Sequence, residues 1–139
     1  MADLSVTAAN VLASSAATIL RQYNFGATVT AGQAVYLDSS TLTWKLIDSN
    51  AAVTGNELAT TKGISLVSGA SGQPADVCIR DTDFTPGATL TNGSTVYSST
   101  NAGGITHDVP ASGAYPTFLG VAKSTSKLNL NPTSSGAVI

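Results

Sequence analysis

A seven-residue pattern occurs twice in this chain and constrains its fold more than any other feature. The pattern T-x-G-x-x-V-Y runs from Thr30 to Tyr36 and again from Thr91 to Tyr97. In each copy, a glycine that is free to adopt positive φ leads into a Val-Tyr strand suited to a pleated surface. Each copy is followed by a G-[IV]-[SA] strand, which begins at Gly63 or at Gly120. The repeat predicts two similar halves that close one core.

Short strands separated by turn signals account for most of the remaining sequence. Helical periodicity is scarce, and Gly, Pro, Asn, Asp and Ser divide the apolar runs about every ten residues, which is typical of a small sandwich or barrel. We therefore expect an all-β fold, a small β-barrel or sandwich of short strands. The predicted strands are about 17–24, 34–38, 43–47, 62–67, 75–80, 88–90, 95–98, 118–123 and 127–131. In the polar connection 49–61, we expect one helical turn around Glu57 and Leu58.

The first sixteen residues differ from the rest, so we predict an extended N-terminal arm over 1–16 and a single β-rich domain over 17–139. The side chains of the arm are too small to form a core of their own, and the arm carries too few charges for a solvated tail. Such a segment suits addition to another protein as a strand, the alternative being a frayed terminus. Its larger apolar side chains are Leu4, Val6, Val11 and Leu12.

Composition argues against several classes of function. The chain has 6 Lys or Arg and 8 Asp or Glu residues among 139, a charged share of 10% where about 25% is usual. It therefore lacks the clustered cations that nucleic-acid binding needs. No apolar run approaches the length of a membrane span, and the start has no cationic region typical of a secretory signal. We expect neither nucleic acid nor membrane as a partner.

Candidate catalytic and metal-binding residues are few. His107 and Asp108 could form a base and its orienting group, but no G-x-S-x-G elbow accompanies them, so a solvated loop is the favoured interpretation. Asp76, Asp81 and Asp83 could hold a hard cation, yet their spacing fits turns better than a calcium loop. We expect no catalytic residue, no metal and no cofactor.

The single cysteine and the aromatic residues are expected mainly in the core. Cys78 lies in an apolar run and is predicted to be an inert core thiol. Most aromatics fall on strand positions where burial explains them. A carbohydrate-binding protein would instead need a solvent-facing aromatic shelf, for which Trp44 or Tyr115 are the candidates.

Several segments, in order along nearly the whole chain, resemble the small head-decoration (capsid cement) proteins of tailed bacteriophages and prophages. Each is an ordinary β-turn phrase, and the ordered set carries the likeness. The segments are 1–10 (MADLSVTAAN), 27–38 (ATVTAGQAVYLD), 62–66 (KGISL), 69–74 (GASGQP), 103–105 (GGI) and 115–124 (YPTFLGVAKS).

The resemblance implies a β-rich homotrimer on the outer surface of a virion, made in the host cytoplasm. It would sit at three-fold and quasi-three-fold positions and stabilise contacts between major capsid protein subunits, with the arm pairing against a capsid strand. Lys62 fills a place where close members of the family often carry a basic residue, which makes it a possible contact. The resemblance implies no catalytic residue. The alternative function is an exposed virion adhesin or tail-associated module that binds host carbohydrate, and a hydrolase is a third.

Overall fold

A computed structural model describes residues 3–49, 61–109 and 115–134. The described residues are nearly all β: ten strands belong to one sheet, which is not closed, and a single 3-10 turn at Ala8–Asn10 is the one helical element among them. The strands are β1 (Thr18–Leu20), β2 (Asn24–Phe25), β3 (Ala34–Asp38), β4 (Thr43–Leu46), β5 (Lys62–Ser65), β6 (Val77–Phe84), β7 (Thr95–Ser98), β8 (Ile105–Thr106), β9 (Thr117–Ala122) and β10 (Leu128–Ser134).

The order of the strands confirms the two similar halves. In the first half the order is β4-β3-β5-β6, and in the second it is β8-β7-β9-β10, so each half begins with a hairpin and continues through the same two pairings. The halves join where β6 pairs antiparallel with β10. Outside this pattern, β2 pairs parallel with β4 and β1 pairs antiparallel with β6.

The main-chain hydrogen bonds at the repeated turn are the same in both halves. The Gly32 N–H donates to the Ser65 carbonyl at 2.8 Å, and the Gly93 N–H donates to the Ala122 carbonyl at 2.9 Å. Both glycines have positive φ, +94° and +81°. The T-x-G-x-x-V-Y pattern therefore encodes one turn that occurs twice. In each copy the glycine N–H donates to the last residue of a strand in the same half, β5 in the first half and β9 in the second.

A second pair of equivalent glycines allows the strands to approach closely. Gly63 lies opposite Val35, and Gly120 lies opposite Val96. A Cβ atom on Gly63 would collide with the Cys78 carbonyl oxygen, and one on Gly120 with the carbonyl oxygen at the equivalent place in β10. The glycine of the G-[IV]-[SA] strand is thus required by the close approach of the neighbouring backbone.

The core has two clusters because the two faces of the first half are both covered. The main cluster spans both halves and contains Ala34, Ile64, Cys78, Val96, Leu119, Leu128 and Leu130 among its buried residues. The second cluster lies on the opposite face of the first half and contains Phe25, Val29, Val35, Trp44, Ala75 and Val77. The outer face of the second half has no such cover within the described chain.

The predicted strands agree with the structure where the repeat lies and differ elsewhere. The strands at 34–38 and 95–98 have the predicted bounds, and 17–24 forms two short strands in place of one. The strand predicted at 88–90 is absent, β8 was not predicted, and β6 continues to Phe84 through residues predicted to be a loop. The helical turn predicted around Glu57 and Leu58 lies outside the described residues.

Candidate functional site

The N-terminal arm lies along the body of the protein and is attached to it by main-chain hydrogen bonds at three places. The Leu4 N–H donates to the Ile105 carbonyl at 2.8 Å, and the Thr7 N–H donates to the Gly87 carbonyl at 2.8 Å. Leu12 and Thr85 exchange a pair of hydrogen bonds of 2.9 Å each. The arm is extended except for the 3-10 turn between the second and third attachment points.

The four apolar side chains predicted for the arm divide into two groups. Leu4, Val6 and Val11 are partly buried and pack against the main core cluster, whereas Leu12 points outward and is 64% exposed. None of residues 3–12 is fully buried. In this conformation Leu12 alone of the four offers a large exposed apolar surface to a partner.

The groove that holds the arm is lined by glycines of the body. A side chain on Gly32 would collide with Val6, and one on Gly87 would come within 2.6 Å of the Thr7 carbonyl oxygen. The chain therefore passes close to the body only because these positions lack a Cβ atom. Both glycines also have positive φ, so the same residues shape the turn and the groove.

A buried carboxylate holds the C-terminal end of the arm. Asp81, on β6, is fully buried and accepts hydrogen bonds from the hydroxyl of Ser14, from the Ser14 N–H at 2.7 Å and from the Asp83 N–H at 2.9 Å. Burial alone would raise the pKa of Asp81, but these hydrogen bonds and the charge of Lys127 outweigh it, so the pKa lies below the usual value for aspartate. We call the contact between Asp81 and Ser14 the arm clamp.

The other end of the arm is held by its own carboxylate. Asp3 accepts a hydrogen bond from the Ser99 hydroxyl and one of 3.1 Å from the Asn101 side-chain amide. Asp3 also forms a β-bridge with Thr106 of β8. The arm is therefore fixed at both ends by hydrogen bonds from a serine hydroxyl to a carboxylate, and at the Asp3 end by the Asn101 amide as well.

Lys62 is not part of the exposed surface. It begins β5, lies opposite Tyr36 of β3 and is only 7% exposed. A contact between the Lys62 ammonium group and another protein would require a local rearrangement.

The acidic residues considered as metal ligands have separate partners. Asp76 faces Arg21 at 3.8 Å, Asp83 faces Lys123 at 3.4 Å, and Asp81 holds the arm. No group of three His, Cys, Asp or Glu side chains comes together as a potential metal site within the described ranges.

The two ring nitrogens of His107 contact main-chain groups of the second repeated turn and of the first residue of β7. Nε2 accepts from the Thr91 N–H at 2.9 Å, so Nδ1 carries the proton and donates to the Thr95 carbonyl at 3.0 Å. The Asp108 N–H donates to the Thr106 hydroxyl oxygen. His107 therefore acts as a brace for the second copy of the repeated turn.

Trp44 cannot serve as the aromatic shelf that the adhesin alternative needs. It is completely buried in the second core cluster, as expected for an aromatic residue on a strand, so the shelf that the adhesin alternative requires is not formed by Trp44. Its indole Nε1–H is buried without a hydrogen-bond partner among the described groups. Cys78 is buried as predicted, and burial, with a smaller contribution from the charge of Asp81, raises the pKa of its thiol to about 11.

An apolar surface that the sequence did not reveal lies on the outer face of the second half. Tyr97 and Phe118 form an edge-to-face aromatic pair with centroids 5.3 Å apart. Phe118 is 39% exposed and Val121 is 47% exposed. Together with Thr95, Gly120 and Asn131 they line a shallow depression, which we call the outer patch.

No family model, curated protein or solved structure matches this chain. Among the described residues there is also no helix long and apolar enough to cross a bilayer. What the chain does is therefore inferred from its own residues and from the sequence resemblance.

Proposed function

We propose that this chain is a structural decoration (cement) protein of a tailed-phage head. It would bind the outer surface of the assembled capsid as a homotrimer at three-fold and quasi-three-fold positions and stabilise contacts between major capsid protein subunits. The sequence resemblance supports this proposal, and so does the all-β module with an N-terminal arm. The proposed action is binding alone, without a chemical step.

The geometry of the arm is the observation that carries the proposal. The arm is held by a few main-chain hydrogen bonds, by the arm clamp at one end and by the contact between Asp3 and Ser99 at the other. None of residues 3–12 is fully buried. Its release would uncover Leu4, Val6 and Val11 and the part of the main cluster against which they pack, and would break no pairing between the ten strands of the sheet. A released arm has unpaired main-chain donors and acceptors, which suit it to pairing with a strand of a capsid subunit.

Low charge suits the proposed position on a crowded shell. The formal net charge is −2, so neighbouring copies repel one another little. Ser and Thr side chains can form hydrogen bonds across an interface, each contributing about 0.5–1.5 kcal/mol net. Several such contacts made by one trimer would act together, because attachment at one site raises the effective concentration at the others.

The sharpest test of the proposal compares two exposed leucines. Leu12, on the arm, is 64% exposed and Leu42, in the β3–β4 turn, is 53% exposed. Leu12→Ser should weaken binding to heads assembled without this protein, whereas Leu42→Ser should bind like the wild type. Both variants should keep the wild-type melting temperature to within about 2 °C, because neither side chain is in the core. Equal binding by the two variants would contradict the role of the arm.

A second test measures what decoration does to the head. Heads should release DNA at a higher temperature with the protein bound than without it, since each bound trimer ties neighbouring subunits together. Deletion of residues 2–16 should abolish both binding and the increase in release temperature. The same release temperature with and without bound protein would contradict the cement function.

A further inference from the structure

The docked arm hides most of the groups with which it would bind a strand of another protein. Leu4, Thr7 and Leu12 each donate their main-chain N–H to the body. The side chains of Leu4, Val6 and Val11 pack against the main core cluster. A partner strand would compete for these same N–H groups and apolar side chains. The arm can therefore use them to dock on the body or to pair with a partner, but not for both at once.

The arm can leave the body at a defined point in the chain. A turn at residues 15–16 directly follows the arm clamp. Across this turn the Ala17 N–H donates to the Ser14 carbonyl at 3.2 Å. The chain beyond the turn is held independently, because β1 pairs with β6. Residues before the turn can thus move away while β1 stays in the sheet.

The body keeps partners for the Asp81 carboxylate after the arm has left. The Asp83 N–H donates to this carboxylate at 2.9 Å, and the positive charge of Lys127 stabilises its ionised form. Neither group belongs to the arm. Release therefore costs the hydrogen bonds of the arm clamp and the apolar contacts of the arm, and it leaves the carboxylate with a donor and a counter-charge.

We propose that the docked arm is an autoinhibitory contact, which holds the groups that would bind the capsid until a capsid strand takes them from the body. This inference rests on the proposed function and adds its regulation. When most molecules have the arm docked, the apparent Kd for the capsid is the intrinsic Kd divided by the small fraction whose arm is free. Weakening the arm clamp raises that fraction. Loss of a contact within the folded protein should therefore strengthen its binding to heads.

The first test compares two neighbouring serines. Ser14→Ala removes the hydroxyl donor of the arm clamp, and Ser15→Ala makes the same change at an exposed position of the turn. Ser14→Ala should bind undecorated heads about ten-fold more tightly than the wild type, through loss of one hydrogen bond to a charged group, while Ser15→Ala binds like the wild type. Asp81→Asn, which weakens the same clamp from the body, should also bind more tightly. A clamp that served only to stabilise the fold would give unchanged or weaker binding.

A reversible lock tests the inference from the opposite direction. Leu12 and Thr85 exchange two hydrogen bonds, so their Cα atoms lie about 5.5 Å apart, a distance that a disulfide can bridge. The oxidised double variant Leu12→Cys/Thr85→Cys should not bind heads. Reduction should restore the binding of the single variant Leu12→Cys. Cys78 is buried and does not compete for the new bridge.

The outcomes separate this inference from the function on which it rests. If the wild type binds heads but Ser14→Ala and Asp81→Asn bind no more tightly, the docked arm does not limit binding, and the inference is wrong while the proposed function stands. If the oxidised double variant binds heads as well as its reduced form does, the inference is wrong for the same reason. If the wild type does not bind heads, the proposed function and the inference fail together.

Discussion

Replacing Asp81 by Asn should loosen the C-terminal end of the arm while the body stays folded. The carboxylate accepts three hydrogen bonds, two from Ser14 and one from the Asp83 N–H. An amide keeps one acceptor oxygen and presents an NH₂ group to the remaining donors. The change therefore removes at least one hydrogen bond to a charged group, and such bonds contribute about 1.5–3 kcal/mol each. We expect the arm to lose about 2 kcal/mol of docking free energy.

Hydrogen exchange at the Leu12 N–H measures this loss directly. That amide donates to Thr85 and is exposed to exchange when the arm lifts. A loss of about 2 kcal/mol corresponds to exchange about thirty-fold faster. The matched control is Asp83→Asn, which makes the same change of charge two residues away at a carboxylate that is 49% exposed and pairs with Lys123. Because an exposed ion pair contributes little, the control should leave Leu12 exchange unchanged.

The arm clamp also predicts the direction of a pH effect. The pKa of Asp81 in the folded protein lies below its unfolded value of about 3.9. The contribution of the clamp is therefore complete above that value and is lost as the pH falls through the folded pKa. Relative to intrinsic rates, exchange at Leu12 should accelerate on acidification in the wild type and less so in Asp81→Asn. Equal exchange in Asp81→Asn and Asp83→Asn, or identical pH profiles for the variant and the wild type, would refute the reasoning.

Three further predictions concern the body of the protein. With the pKa of the Cys78 thiol at about 11, about one thiol in a thousand is ionised at pH 8. A water-soluble disulfide reagent should therefore react only after denaturant is added, and rapid reaction of the native protein would contradict the burial of Cys78. Gly120→Ala should lower the free energy of unfolding, measured in urea, by roughly 2 kcal/mol or more, and Gly72→Ala should lower it by about 1 kcal/mol. Both glycines have positive φ, but only Gly120 faces neighbouring backbone, so equal losses would contradict the close approach. His107→Leu should accelerate exchange of the Thr91 N–H about ten-fold through loss of its acceptor, and unchanged exchange would show that the ring does not brace the turn.

The strands that could be predicted are those in which the local sequence favours the backbone conformation that pairing in the sheet also requires. The repeated turn specifies a positive-φ glycine and then a Val-Tyr strand, and both strands that follow it have the predicted bounds. β8 escaped prediction because Ile105 and Thr106 are too short a run to show alternation. The end of β6 escaped because Asp81 and Asp83 have low β propensity, which the pairing with β10 overrides.

The candidate site could be predicted only in outline. The apolar arm was visible in the composition, but the groove depends on Gly32 and Gly87, whose contact with the arm exists only after folding. The arm clamp joins Ser14 to Asp81 across 67 positions, and nothing in either local segment signals that pairing. Hydroxyl residues also fill interior positions that the sequence does not distinguish from surface ones: Ser49, Ser65, Ser98, Ser99, Thr106 and Thr117 are buried.

The repeat carries more functional information in its differences than in its identities. Where the two halves agree, as at the paired glycines, the residues are required by backbone geometry and would be the same whatever the protein binds. Where they differ, the environment differs: Cys78 is buried in the first half, and its counterpart Asn129 is exposed in the second. At the outer patch this rule fails, because Val121 is as apolar as its buried counterpart Ile64 although it faces outward. Likeness between the halves therefore shows what the shared backbone requires, and it does not by itself show that a position is buried.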